Sequence, residues 1–174
     1  MRIVLLSDTH GDLMEDVLPY LREADEIWHA GDLGSLKLID QLAQLKPCRI
    51  VYGNIDDAQI RRTVPLTQVF EIEGMKVCMT HIGGRPGKVP ASVKAWIQQE
   101  KPHLFICGHS HSALVQYDAN SGMLWMNPGA CGIKGFHTLR TLFRFSIISG
   151  KCCRLEVIEL PRYPSQSSTQ VFTS

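Results

Sequence analysis

Five short apolar runs in this chain end on the same small set of polar residues. Leu5-Leu6 opens into Ser7-Asp8-Thr9-His10, Trp28-His29-Ala30 into Gly31-Asp32, and Val51-Tyr52 into Gly53-Asn54. Cys78-Met79 opens into Thr80-His81, and Ile106-Cys107 into Gly108-His109-Ser110-His111. Short apolar runs bounded by turn residues read as buried strands. In sheets built from βαβ units, the side chains that do chemistry collect just past the carboxyl ends of strands. A fold for this chain must bring several such strand ends together.

The first 52 residues carry the matching pattern. Strands are expected at 2–7, 26–29 and 48–52. Between them lie a helix at 13–21, with an Asp12-x-x-Glu15 capping box, and a second helix that Ser35 caps and Pro47 ends. This β-α-β-α-β order with short connections predicts parallel strands and right-handed crossovers. The second half is richer in strands, expected at 68–72, 75–80, 104–107, 113–117, 123–126, 141–148 and 152–160, with one helix at 89–99. Turn signals at Glu73-Gly74, 118–122 and Ser149-Gly150 mark hairpins, and the strands there are expected to pair antiparallel. The sum is an α/β fold of α+β character: two mixed sheets face to face, with helices outside.

At 174 residues, without repeat or linker, the chain is expected to form one domain over 1–160 followed by a loose Ser/Thr/Gln-rich tail at 161–174. Lys plus Arg number 18 against 17 Asp plus Glu, which argues against an extended nucleic-acid surface or an anionic membrane as partner. The opening apolar run is only Ile3 to Leu6, short of the roughly 7–15 residues of a signal sequence and the about 20 of a membrane span. The expected location is the cytoplasm. Six cysteines without a C-x-x-C pair read as reduced thiols packed in strands.

Asp, His and Asn supply oxygen and imidazole donors, a mixture that suits Mn²⁺, Fe²⁺ or Zn²⁺. The i, i+2 spacings Asp8-x-His10 and His109-x-His111 aim two side chains at one locus beyond a strand. Asp8, His10, Asp32, Asn54, His81, His109 and His111 are seven donors, too many for one four-coordinate ion. A bridging carboxylate would let them serve two ions about 3.5–4 Å apart. Taken singly, each cluster has a structural explanation. Asp8 or Asp12 can cap a helix, Gly31-Asp32 and Gly53-Asn54 can be turns, and His81 can be a hydrogen-bonded core histidine. Five clusters in one ligand chemistry read as a metal centre.

The ordered signature Asp-x-His, Gly-Asp, Gly-Asn, His and Gly-His-x-His, from Asp8 to His111, resembles that of the calcineurin-like metallophosphoesterase superfamily. Within it the chain looks most like the small single-domain phosphodiesterases of the bacterial and archaeal YfcE type. Its length, its Met-Arg-Ile-Val start into Ser7-Asp8-Thr9-His10-Gly11 and its Asn127-Pro128-Gly129 loop carry that likeness. The resemblance implies a four-layer α/β/β/α sandwich and two divalent ions, manganese first, with iron, zinc or nickel as alternatives. Asp8, His10 and His111 would hold one ion, Asn54, His81 and His109 the other, and Asp32 would bridge. It implies hydrolysis of a small phosphoester, a diester foremost, by in-line attack of a metal-bridging hydroxide, with Asp32, Asn54 and His81 acting through the metals.

Many superfamily members place a histidine after Gly-Asn to protonate the leaving group; here that residue is Ile55. Asp56 is a candidate replacement acid, with a turn or cap role as its alternative. Arg85 and Lys88, in the glycine-rich segment after His81, and Asn127 are candidate substrate contacts. His29 reads as buried and hydrogen-bonded or as orienting a ligand, and His137 has no spacing argument. The competing functional reading is a non-catalytic scaffold, the use to which the retromer sorting subunit puts this fold. A homodimer stays open.

Overall fold

A strand whose alternate side chains are all apolar must be covered on both faces. The computed structural model describes residues 1–11, 13–119 and 121–163, and its first strand, β1 (Arg2–Leu6), is of this kind. Ile3 and Leu5 enter a core with Trp28, Val77, Met79, Ile106 and Phe145, whereas Val4 and Leu6 enter a second core with Leu21, Leu38 and Leu42. The first core lies between two sheets and the second lies between one sheet and its helices.

β1 pairs in parallel with β2 (Glu26–His29), and β2 with β3 (Cys48–Ile50), as the β-α-β-α-β pattern predicts. On its other side β1 takes the antiparallel hairpin of β9 (Leu139–Ile148) and β10 (Lys151–Pro161), giving the order β10-β9-β1-β2-β3. The second sheet contains β4 (Thr67–Ile72), β5 (Met75–Thr80), β6 (Leu104–Ile106), β7 (Ala113–Asp118) and β8 (Met123–Pro128), in the order β4-β5-β6-β8-β7. Helices α1 (Leu18–Glu23), α2 (Leu36–Leu45) and α3 (Ala58–Thr63) supply Leu21, Leu38 and Ile60 to the core of the first sheet. On the outer face of the second, α4 (Ala91–Glu100) packs Val93, Trp96 and Ile97 against Cys78, Phe105 and Trp125. The four layers are those the sequence implies.

Four local expectations are corrected. The hairpin pairs are antiparallel, but β6 runs parallel to both β5 and β8, because α4 carries the chain back before β6 and β7 carries it back before β8. The first helix divides into a 3-10 turn at Glu15–Val17 and α1, with Pro19 in the first turn of α1; proline lacks an N–H and suits a helix start. The Asp12 half of the expected capping box lies outside the described residues. α4 begins at Ala91, after Pro90, and α3 is an additional element capped by the Asp57 carboxylate, which accepts the Gln59 and Ile60 N–H groups, both at 2.9 Å. The α2 cap is as expected, with Ser35 Oγ accepting the Leu38 N–H at 3.3 Å.

All six cysteines are free thiols. β10 ends at Pro161, and residues 164–174 of the expected tail lie outside the described residues. Among the described residues no helix is long and apolar enough to cross a membrane.

A basic side chain is fully buried in this frame. The Arg140 guanidinium on β9 ion-pairs with Asp16 and donates through Nε to the Pro161 carbonyl at 2.9 Å. Asp16→Ala strands that cation, and the expected loss of unfolding free energy is about 3 kcal/mol. A urea titration checks this: the midpoint falls with an unchanged slope, whereas a change within about 0.5 kcal/mol would make the pair an ordinary surface one.

Candidate metal centre

The chain leaves its strands in an unusual backbone conformation. Asp8 (φ 54°), His10 (φ 54°), Asp32 (φ 56°), His109 (φ 70°) and His111 (φ 55°) are all left-handed. That region costs an L-residue roughly 1–2 kcal/mol, least for Asp, Asn and His. The strain is held by main-chain bonds that stitch the loops together. Asp8 N–H donates to the Gly31 carbonyl at 2.9 Å, His10 N–H to Asp32 at 3.0 Å, and Gly108 N–H to His81 at 2.9 Å. The packing leaves no room for a methyl group at two of the turns. A Cβ on Gly31 (φ 98°) would lie 2.6 Å from His81 Nδ1, and one on Gly53 would overlap the Asp32 carboxylate.

Two triads result, and both include Asp8: Asp8 with His10 and His111, and Asp8 with Asp32 and His81. Asp8 Oδ1 lies 3.2 Å from His111 Nε2 and 3.9 Å from His81 Nε2. The Asp32 oxygens divide between the triads, Oδ1 standing 3.2 Å from His81 Nε2 and Oδ2 4.0 Å from His10 Nε2. Asp8, Asp32 and His81 are buried, and His10 and His111 are half-buried. His81 Nδ1 lies 2.7 Å from the Ala30 carbonyl, which can only accept, so the proton sits on Nδ1 and the Nε2 lone pair faces the two carboxylates. Asp8 Oδ1 and His81 Nε2 are buried without a hydrogen-bond partner.

Asn54 and His109 stand at the rim of this cluster, both exposed. The His109 ring meets the His81 ring edge-on at 5.3 Å, and the His109 backbone N–H donates to Asp8 Oδ2 at 3.1 Å. Asn54 lines a cavity together with His81. Arg85, Lys88 and Asn127 share a second cavity of about 750 Å³ with His109 and Ser110. Asn127 is buried there and donates to the Gly108 carbonyl at 2.8 Å and to Ser110 Oγ at 3.0 Å, so it braces the histidine loop from behind.

Asp56 takes the turn role of its two readings. Its buried carboxylate accepts the N–H groups of Gly53 at 2.7 Å, Gly34 at 2.8 Å and Leu33 at 3.2 Å, which commits both oxygens to joining the Asp32 and Asn54 loops. His29 is fully buried, with Nδ1 accepting the Gly31 N–H at 3.2 Å and Nε2 2.9 Å from Thr9 Oγ1; burial lowers its pKa to about 3.

No periodicity marks three further contacts, of which only the loop of His137 is a sequence candidate for reaching the site. Arg61 donates to the Asn54 and Asp56 carbonyls at 3.0 and 2.7 Å. Lys134 Nζ lies 3.2 Å from the His10 carbonyl. His137 packs its ring edge-on against His111 at 5.4 Å.

This geometry agrees with what the chain resembles. Residues 1–150 match the family model of the calcineurin-like phosphoesterase superfamily domain. The chain belongs to that superfamily. It is 30% identical over 135 residues to a probable metallophosphoesterase of Methanothermobacter thermautotrophicus, a match spanning 75% of this chain and 77% of that protein. Among solved structures, Vps29 from Entamoeba histolytica complexed with Zn²⁺ superposes with a TM-score of 0.72 at 16% identity, covering 94% of this chain and 100% of that one. An archaeal phosphodiesterase superposes with a TM-score of 0.68 at 22% identity, covering 92% and 100%.

The donor set of this superfamily member fits divalent cations. Two buried atoms from the loops of different sheets, Asp8 Oδ1 and His81 Nε2, face one space without a hydrogen-bond partner. Burial opposes protonation of His81, but the Asp32 and Asp8 carboxylates outweigh it and raise its pKa above 6.5; contact with Asp8 does the same for His111. Burial pushes the Asp8 and Asp32 carboxyls up, and their histidine partners more than reverse this, leaving both below 3.8.

These shifts predict opposite pH slopes for fold and affinity. In chelator-treated protein the two histidines stabilise the fold fully below their unfolded value, and that contribution is lost as pH rises through the raised folded values. A cation must displace those protons, so its affinity rises over the same range. Thermal melts and metal titrations between about pH 5 and 9 check both; affinity that does not rise with pH would remove the histidines from the donor set.

Proposed function

We propose that this chain is a two-metal phosphoesterase, a phosphodiesterase foremost, acting on a small phosphoester in the cytoplasm. Asp8, His10 and His111 hold one divalent ion, Asn54, His81 and His109 the other, and Asp32 joins them, with manganese the first choice of metal. The observation that carries the reading is the His81 imidazole, whose Nδ1–H is committed to Ala30 while its Nε2 lone pair faces two carboxylates. Lone pairs so arranged repel unless a proton or a metal cation lies among them. When bound, the ions supply polarised phosphoryl oxygens and a water of lowered pKa.

The chain's own residues orient and bias the site. Asp8 and Asp32 are the only carboxylates among the seven donors, so the set under-neutralises two divalent ions and favours an anionic ester. Neutral Asn54 keeps that surplus. Arg85 and Lys88, exposed beside His109 and Ser110, extend positive charge toward the substrate. No proton donor follows Asn54: Ile55 has none to give, and the Asp56 oxygens are turned into the loops. The favoured esters therefore have acidic leaving alcohols. The archaeal phosphodiesterase and the probable metallophosphoesterase support a hydrolytic reading.

Protein stripped of metal and reloaded with Mn²⁺, Fe²⁺, Zn²⁺ or Ni²⁺ tests the proposal against aryl diesters, aryl monoesters and alkyl esters. Aryl diesters are expected to turn over orders of magnitude faster than alkyl esters. Asp32→Asn is expected to lose over about a hundredfold in rate and to release metal. Full metal loading of the wild type with no hydrolysis of any ester would replace this reading with that of a scaffold.

A further inference from the structure

We propose that the cleft beside Asn54 and His81 binds a planar aromatic group of the substrate, an aryl ring or a nucleobase. The inference rests on the phosphoesterase reading and names the substrate class that site would take. The cleft has a volume of about 530 Å³, and Asn54 and His81 form part of its lining. Its apolar walls are Tyr52, Leu66, Ile82, Pro90, Val93 and Trp96, and Arg61 adds a cation at one side. They come from separate places in the chain: the ends of β3 and β5, the segment before β4, and the first turns of α4.

Three features identify the occupant. First, the cleft opens on the metal-binding cluster through shared residues, so whatever fills it is a group attached to the phosphate being held there. Second, its surface is mainly carbon. Leu66 and Ile82 are 53% and 44% exposed, and an apolar group between them would remove that surface from water. Third, two of its walls are aromatic and held in place. Trp96 rests edge-on against Phe105 at 6.1 Å. Tyr52 carries the Arg61 guanidinium over its ring at 5.3 Å, and that guanidinium is fixed by the Asn54 and Asp56 carbonyls. Aromatic walls held in place favour a flat partner. The cavity on the other flank contains Arg85, Lys88, His109 and Ser110 and suits a charged or polar arm, which leaves the apolar cleft for the ring.

Equilibrium binding tests this without turnover. Protein loaded with Mn²⁺ is titrated calorimetrically with methyl phosphate, phenyl phosphate and a nucleoside 5′-monophosphate. Wild type, Trp96→Leu and Leu66→Asn are compared, the second variant lying at the exposed rim where it leaves the core intact. Phenyl phosphate is expected to bind about tenfold tighter than methyl phosphate. Both variants are expected to erase that advantage while methyl phosphate affinity stays within about twofold. A larger gain for the nucleotide than for phenyl phosphate identifies a base as the ring, and equal gains an aryl group.

Equal binding of methyl and phenyl phosphate would overturn the proposal, as would variants that weaken every ligand alike. A wild-type dimer that Leu66→Asn dissociates would do the same, since a second copy would then cover the cleft. An aromatic preference in protein that hydrolyses no ester would leave the ring site standing and overturn the phosphoesterase reading. Hydrolysis of aryl and methyl diesters with no difference in affinity would do the reverse.

Discussion

The hydrogen bond from His81 to the Ala30 carbonyl joins the ends of two strands in different sheets, β5 in one and β2 in the other. The rest of the site is organised about that seam. Asp8, His10, Asp32 and Asn54 come from loops of the first sheet, and His81, His109 and His111 from loops of the second. Both buried carboxylates thus reach across to imidazoles they could not meet within their own sheet. The spacing between them is set by the inter-sheet core of Ile3, Leu5, Trp28, Val77, Ile106 and Phe145, since stacked sheets sit about 10 Å apart face to face.

Strain and charge are concentrated at the same place. Five of the seven donors sit in the left-handed region, and the two carboxylates are buried among imidazoles. The strain does not stabilise the metal-free fold on its own account; strain of this kind persists where surrounding structure over-determines it. Here the over-determination is visible as the Asp56 brace, the Asn127 brace and the main-chain bonds from Asp8, His10 and Gly108 into neighbouring loops.

Much of this was legible in the sequence, and the exceptions have physical causes. β1, β2 and β3 could be read because each is a short apolar run that ends on turn residues, and α2 because Ser35 caps a helical apolar period. The donors could be read because each follows a strand. α3 could not, since among its six residues only Ile60 is buried. The parallel setting of β6 could not, because a strand pattern states which face is apolar and not which neighbour lies beside it. The sequence allows Asp56 two roles, and the N–H groups of Leu33, Gly34 and Gly53 give its carboxylate the turn contacts. Leu66 and Ile82 were invisible as cleft walls for a different reason. Each is an isolated apolar residue in a connection, and their proximity is a property of the fold alone.

The division of donors between the sheets bears on the order in which the molecule assembles. The two carboxylates lie within the first 32 residues and the three histidines of the second sheet between positions 81 and 111, so neither segment alone contains either complete triad. An ion of the kind proposed would find its full coordination only after the two halves have docked. It would then act as a clasp on a finished sandwich, a witness to the last step of folding and not its nucleus.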